Sequence, residues 1–155
     1  MINFEDINWD DINSNITDNF TVHELTYLPS WQIHHTPSQD EKQNLYNLAL
    51  KMEEIREFLG KAINVHVAIR PTVVNCPNSP YNGRNYNAIV GGAPKSAHIY
   101  GLAMDFNPYE MICDEARLLL EPQLATMNIR MEKRPGSSWV HCDLFLPSPN
   151  RYFIP

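Results

Sequence analysis

The chain has 155 residues, 43% of them hydrophobic and 19% charged, an ordinary globular composition that fits one domain with its own core. A formal net charge of −6 without a basic run or an arginine cluster argues against nucleic acid as the main ligand, because binding phosphates needs compensating cations. No apolar stretch approaches the roughly 20 residues that span a bilayer, so no membrane insertion is expected, and three cysteines at irregular spacing (Cys76, Cys113 and Cys142) form no disulfide framework and read as reduced thiols.

Residues 1–18 read as an irregular acidic lead-in to a single domain spanning 1–155, with Trp9 and Phe20 as anchors. The opening lacks the basic and apolar regions of a signal peptide, so the expectation is synthesis in the cytoplasm. A proline-bearing loop follows Thr26 and runs to Pro37. Ser38 and Glu41 then have capping-box spacing, and Leu45, Leu48, Ala49, Met52, Ile55 and Leu59 recur at three- and four-residue steps before Gly60. This predicts an amphipathic helix of about five turns.

Residues 63–70 alternate strictly, with Ile63, Val65, Val67 and Ile69 on one face and Asn64, His66, Ala68 and Arg70 on the other, which predicts a strand ended by Pro71. A short helix is expected around 84–90 before the Gly91-Gly92 turn. Residues 101–106 alternate again and give a second strand. Residues 114–124 look helical, with Asp114 as cap and Pro122 near the end. Two further alternating runs, 127–132 and 139–146, complete four strands. Each has one apolar face, and the other faces together carry His66, Arg70, Asp105, Arg130, Glu132, His141 and Asp143. The fold class expected is therefore α+β: a small antiparallel sheet with helices on one face and a polar cleft on the other.

Within that cleft, His98, Asp105 and His141 form a plausible set of three ligands for a divalent metal, above all zinc, leaving one position open as in catalytic rather than structural sites. His98 and Asp105 are seven residues apart, which requires an intervening turn at Tyr100-Gly101. Asp105 sits between apolar Met104 and Phe106, where a carboxylate without a metal or a basic partner would carry a desolvation cost. Taken alone, His98 also reads as an ordinary surface or core histidine.

The motif Ser96-Ala-His98-Ile-Tyr-Gly101-Leu-Ala103-Met-Asp105, preceded by Asn87 and Val90-Gly-Gly, resembles the signature of the zinc D-alanyl-D-alanine carboxypeptidases and related phage peptidases, which share a fold with hedgehog signalling domains and the vancomycin-resistance dipeptidases. Trp139, His141 and Asp143 match the strand that closes the site in that family. The likeness extends over about residues 19–155, including Asn19-Phe-Thr-Val-His-Glu-Leu25, the strand ending in Arg70, and Arg151-Tyr-Phe-Ile-Pro155.

The resemblance implies zinc bound by His98, Asp105 and His141. Many relatives carry a general-base carboxylate three residues before the last histidine, where this chain has Ser138. Others hold a glutamate at the end of the preceding strand, which here is Glu132; its alternative is an ion pair with Lys133 or Arg134. Arg70 matches the arginine that steadies a scissile carbonyl or a substrate carboxylate, although Pro71 replaces the usual serine or threonine and a surface salt bridge is the other reading. Ser96 is expected to hydrogen-bond near the metal or the substrate. Asp143 would orient a ligand imidazole or face solvent. His66 would line the cleft or be a satisfied structural histidine, and His23, His34 and His35 lie outside every motif.

The implied function is hydrolysis of a peptide bond in bacterial peptidoglycan stem peptides, of the D-Ala-D-Ala carboxypeptidase or endopeptidase type. Its setting would be a phage product, either an endolysin that reaches the cell wall after release or a virion component. A non-catalytic zinc-containing domain that binds peptidoglycan or protein, and a cytoplasmic D-Ala-D-Ala dipeptidase, are the alternatives.

Overall fold

The computed structural model describes residues 2–145 and 150–154. The lead-in has little regular structure beyond one 3-10 turn at Phe4–Asp6, yet Ile7, Ile16 and Phe20 are buried in the core. Helix α1 (Val22–Thr26) begins with a capping box in which Thr21 accepts from the Glu24 N–H and Glu24 returns a bond to the Thr21 backbone. Strands β1 (Tyr27–Leu28) and β2 (Ile33–His34) then pair antiparallel where only a loop was expected.

Helix α2 (Gln39–Leu59) follows the predicted pattern closely. Ser38 and Glu41 form the capping box, Gly60 ends the helix at φ +62°, and the six apolar residues picked out by periodicity are the ones buried. After it come β3 (Ile63–Val67), α3 (Tyr86–Ile89), β4 (Ala103–Pro108), α4 (Cys113–Leu120), β5 (Arg130–Glu132), β6 (Val140–Asp143) and β7 (Tyr152–Phe153). The sheet order is β3-β4-β6-β5-β7. The first three pairings are antiparallel as expected, and β7 adds a parallel edge strand beside β5. Helices α2 and α4 pack on the sheet, and the central strands contribute Met104, Phe106, Met131, Val140 and Cys142 to the shared core. All three cysteines are free, and Cys142 is buried among apolar neighbours as its place in the strand implied.

Several boundaries differ from the sequence reading for local physical reasons. The pairing of β3 with β4 slips between Val65 and Val67, a bulge that ends the alternation early, so that Ala68 and Ile69 are both buried. His66 consequently stays on the exposed part of the sheet, while Arg70 goes elsewhere. Asp114 does not cap its helix: Ile112 is the N-cap residue, without a side-chain bond, and Asp114 accepts from the Gly136 N–H and from Arg117 instead. The helix stops at Leu120, and a 3-10 turn over Glu121–Gln123 accommodates Pro122. In the run 127–132 only the last three residues are strand, because Asn128 takes φ +54°. The strand expected at 139–146 is limited to Val140–Asp143 among the described residues, and Leu146 lies outside them.

Candidate metal centre and cleft

Asp105 on β4 and His141 on β6 are direct cross-strand partners, so pairing alone brings their side chains to the same side of the sheet. His98 arrives from a 3-10 turn, Ala97–Tyr100, whose N-cap Ser96 accepts from the His98 N–H. Gly101 ends this turn at φ +69°, where a Cβ would also meet Leu45 of α2 at 3.0 Å. The turn expected at Tyr100-Gly101 is thus fixed both by backbone conformation and by close packing on the long helix.

The three side chains converge. His141 Nδ1 lies 2.8 Å from Asp105 Oδ1, His98 Nε2 lies 3.2 Å from the same oxygen, and the two nitrogens are 3.2 Å apart. Tetrahedral ligands at about 2.0 Å from a zinc ion stand about 3.3 Å from one another, so the triangle has nearly the required size. The outward nitrogens are already committed. His98 Nδ1 donates to the Ala68 carbonyl at 2.7 Å, and His141 Nε2 donates to Asp143 Oδ2 at 3.2 Å. The nitrogens beside the carboxylate oxygen, Nε2 of His98 and Nδ1 of His141, are therefore the ones that can offer lone pairs to a metal, His141 once it gives up its inward proton. Two lone pairs and a carboxylate directed at one point fit a cation.

The electrostatics agree. Burial alone would raise the Asp105 pKa, but His98 and His141 hold it well below the usual carboxylate range. His98 is fully buried and its pKa is lowered by desolvation, partly offset by Asp105. Burial acts in the same sense on His141, but Asp105 and Asp143 outweigh it and push its pKa up to about 9. Asp143 is itself anchored: Arg130 donates to its two oxygens at 2.7 and 2.9 Å, and the Phe145 N–H adds a third bond. Its pKa is lowered by these bonds and by His141 against the opposing effect of burial. Asp143 is buried, not solvent-facing.

Asp105 and His141 line a cleft of about 370 Å³, and His98 lies fully buried behind them. Glu132, at the end of β5, lines this cleft and is only 7% exposed; its nearest basic partner is Arg134, at 3.4 Å. Arg70 lines it too, donating from Nη2 to Ser96 Oγ at 3.2 Å, while its Nε is buried without a partner among the described residues. Desolvation lowers the Arg70 pKa, opposed by the nearby Asp105, Tyr86 and Glu132. Ser96, Arg130, Trp139 and Asp143, all singled out in the sequence, line it as well. His66 is not in it: exposed on β3, it is 2.5 Å from Asn107 Oδ1. Ser138 is likewise exposed and lies outside the lining.

The model of the Peptidase M15 family matches residues 18–143. The chain belongs to the M15 peptidase family. No curated protein matches it. Membership makes the chain a member of a zinc-dependent family of hydrolases, and the His98–Asp105–His141 cluster fits that metal. The M15 match also accounts for the α+β arrangement around the cleft. No helix among the described residues is long and apolar enough to cross a membrane.

Three supporting residues of this M15 centre had no role assigned from sequence. Arg130 was placed on the polar strand face, but its bidentate hold on Asp143 depends on the register that pairs the two residues across β5 and β6. Arg117 is buried and binds the carbonyls of Ser137 and Trp139 and the carboxylate of Asp114, tying down the segment that carries Trp139. The Ala68 carbonyl that orients His98 is a backbone group with no signal in the sequence.

Proposed function

We propose that the protein is a zinc peptidase that hydrolyses a peptide bond in bacterial peptidoglycan stem peptides, of the D-Ala-D-Ala carboxypeptidase or endopeptidase type, acting as a phage product. The observation that carries this reading is the convergence of the His98, Asp105 and His141 ligand atoms within 2.8–3.2 Å at the wall of a cleft that Asp105 and His141 line together with Glu132 and Arg70. Membership of the M15 peptidase family supports the class of reaction.

In this reading His98, Asp105 and His141 hold the zinc. When bound there, zinc supplies Lewis acidity to the substrate carbonyl and makes a water more acidic. Glu132 takes a proton as the water's hydroxyl adds to the carbonyl carbon, and returns it to the nitrogen as the C–N bond breaks, leaving a carboxylic acid and an amine. Arg70, held by Ser96, presents its free guanidinium hydrogens to the carbonyl oxygen as charge develops there, or to a substrate carboxylate. Asp143 keeps the Nε2 proton on His141, so that Nδ1 faces the metal.

Glu132→Ala tests the assignment. Hydrolysis of stem peptides is expected to fall by about 10²–10⁴-fold with zinc content unchanged. An undiminished rate would remove Glu132 as base, and a non-hydrolysing wild-type protein with full zinc would favour a binding role. Comparing intact sacculi with free D-Ala-D-Ala separates a wall hydrolase from a dipeptidase.

A further inference from the structure

One wall of the cleft is the loop Gly91-Gly92-Ala93-Pro94-Lys95, which joins α3 to the turn bearing His98. Four of its five residues line the cleft, yet none of the five is buried and able to anchor it from within. Its anchor lies beneath. Asn87 of α3 is 97% buried, and its Nδ2 donates to two consecutive carbonyls of the loop, Ala93 O at 3.0 Å and Gly92 O at 3.3 Å. The Gly92 N–H returns a bond to the Asn87 carbonyl at 2.8 Å.

These bonds fix which way the carboxamide faces, since only the nitrogen can donate to two carbonyls. Oδ1 is therefore turned to Gly92, and it is buried without a hydrogen-bond donor among the described residues. A Cβ on Gly92 would stand 2.0 Å from Asn87 Oδ1 and 2.7 Å from Cγ. Gly92 has no positive φ, so backbone conformation gives no reason for glycine at this position. The reason is contact: the carboxamide lies against the Cα, where any side chain would push the loop away.

We propose that Asn87 and Gly92 act as a paired positioning clamp, setting the height of the loop 91–95 over the cleft and hence the fit of the substrate against that wall. Asn87 touches neither substrate nor metal; it works through the loop. The inference rests on the cleft being the peptidase site proposed above. It also predicts where the effect stops. The Ser96 N–H does bond to the Ala93 carbonyl of the loop at 3.0 Å, but the Ser96 side chain is also held by Arg70 and the His98 turn, so loosening the loop is expected to leave the metal ligands in place.

The test uses zinc-loaded wild type, Asn87→Ala, Gly92→Ala and the double variant. Amide hydrogen exchange across residues 91–96 is measured by mass spectrometry, and steady-state kinetics are measured on the stem peptide that the wild type cleaves. Each single variant is expected to speed exchange in the loop and raise KM about tenfold, with kcat within about twofold and zinc content unchanged. The double variant is expected to be no worse than Asn87→Ala, because without the carboxamide the added Cβ has room; that non-additivity marks a coupled pair. Unchanged exchange and KM in folded Gly92→Ala would overturn the clamp, as would strictly additive effects or a lower melting temperature as the sole change. Should Gly92→Ala fail to fold, Asn87→Ala alone decides by the same two readouts. Should the wild type cleave no stem peptide, the peptidase reading fails, while loop exchange still judges the clamp.

Discussion

His98 and His141 offer opposite ring nitrogens to the centre, Nε2 from one and Nδ1 from the other, because different groups hold their outer N–H bonds. For His98 that group is a backbone carbonyl, and for His141 it is the end of a chain running Arg130, Asp143, His141. In the metal-free protein a proton on His141 is favoured by Asp105 and Asp143, which is why its pKa rises from 6.5 to about 9. The sign follows: this group adds to apoprotein stability in full below its unfolded pKa and ceases to do so as pH rises through about 9. Zinc competes with that proton for the same nitrogen. Zinc binding at pH 7 is therefore expected to release about one proton, with affinity rising as pH climbs towards 9. Calorimetric titration in buffers of different ionisation enthalpy measures this directly, and no proton release would contradict the protonated His141.

At the scale of elements, the centre depends on a strand pair and one turn. Antiparallel pairing of β4 with β6 places Asp105 opposite His141, and Gly101 lets the chain reverse tightly enough to bring His98 back over them. Gly101→Ala is expected to destabilise the protein by about 1–3 kcal/mol through the left-handed backbone, with crowding against Leu45 at 3.0 Å moving the turn as well. Thermal unfolding with and without zinc checks this: a smaller zinc-induced increase in melting temperature than in wild type is expected, because His98 rides on the turn. Much of this was legible in the residues. The seven-residue gap between His98 and Asp105 demanded a turn, and the alternation around His141 and Asp143 placed them on a polar strand face. The long helix was legible because its capping box, apolar spacing and terminal glycine all agree. Features that depend on partners distant in the chain were not. The bulge at Val65–Val67 is set by pairing with β4, and it separated His66 from Arg70 although their parity matched. Asp114 has the composition of a cap, but the Gly136 N–H and Arg117 compete for its oxygens. The hairpin of β1 and β2 has strands too short to leave a periodic signal.

On the scale of the whole molecule, the sheet divides the labour. One side and the helices α2 and α4 supply an apolar core; the other supplies the cleft, to which Arg70, Arg130, Glu132 and Arg134 contribute charge. Both cleft walls are tied from below, the loop 91–95 by Asn87 and the Trp139 segment by Arg117, so small loop residues can stand beside a centre that needs fixed geometry. The acidic net charge of the chain is not repeated in the cleft, where the basic groups would meet the carboxylates of a peptide substrate. The measurement that tests the central claim most directly is mass spectrometry of purified peptidoglycan incubated with the zinc-loaded protein, with and without a chelator. New stem-peptide fragments, one water heavier in sum than their parent and abolished by the chelator, are the predicted result. An unchanged digest from protein shown to contain zinc, or fragments that persist in chelator, would contradict it.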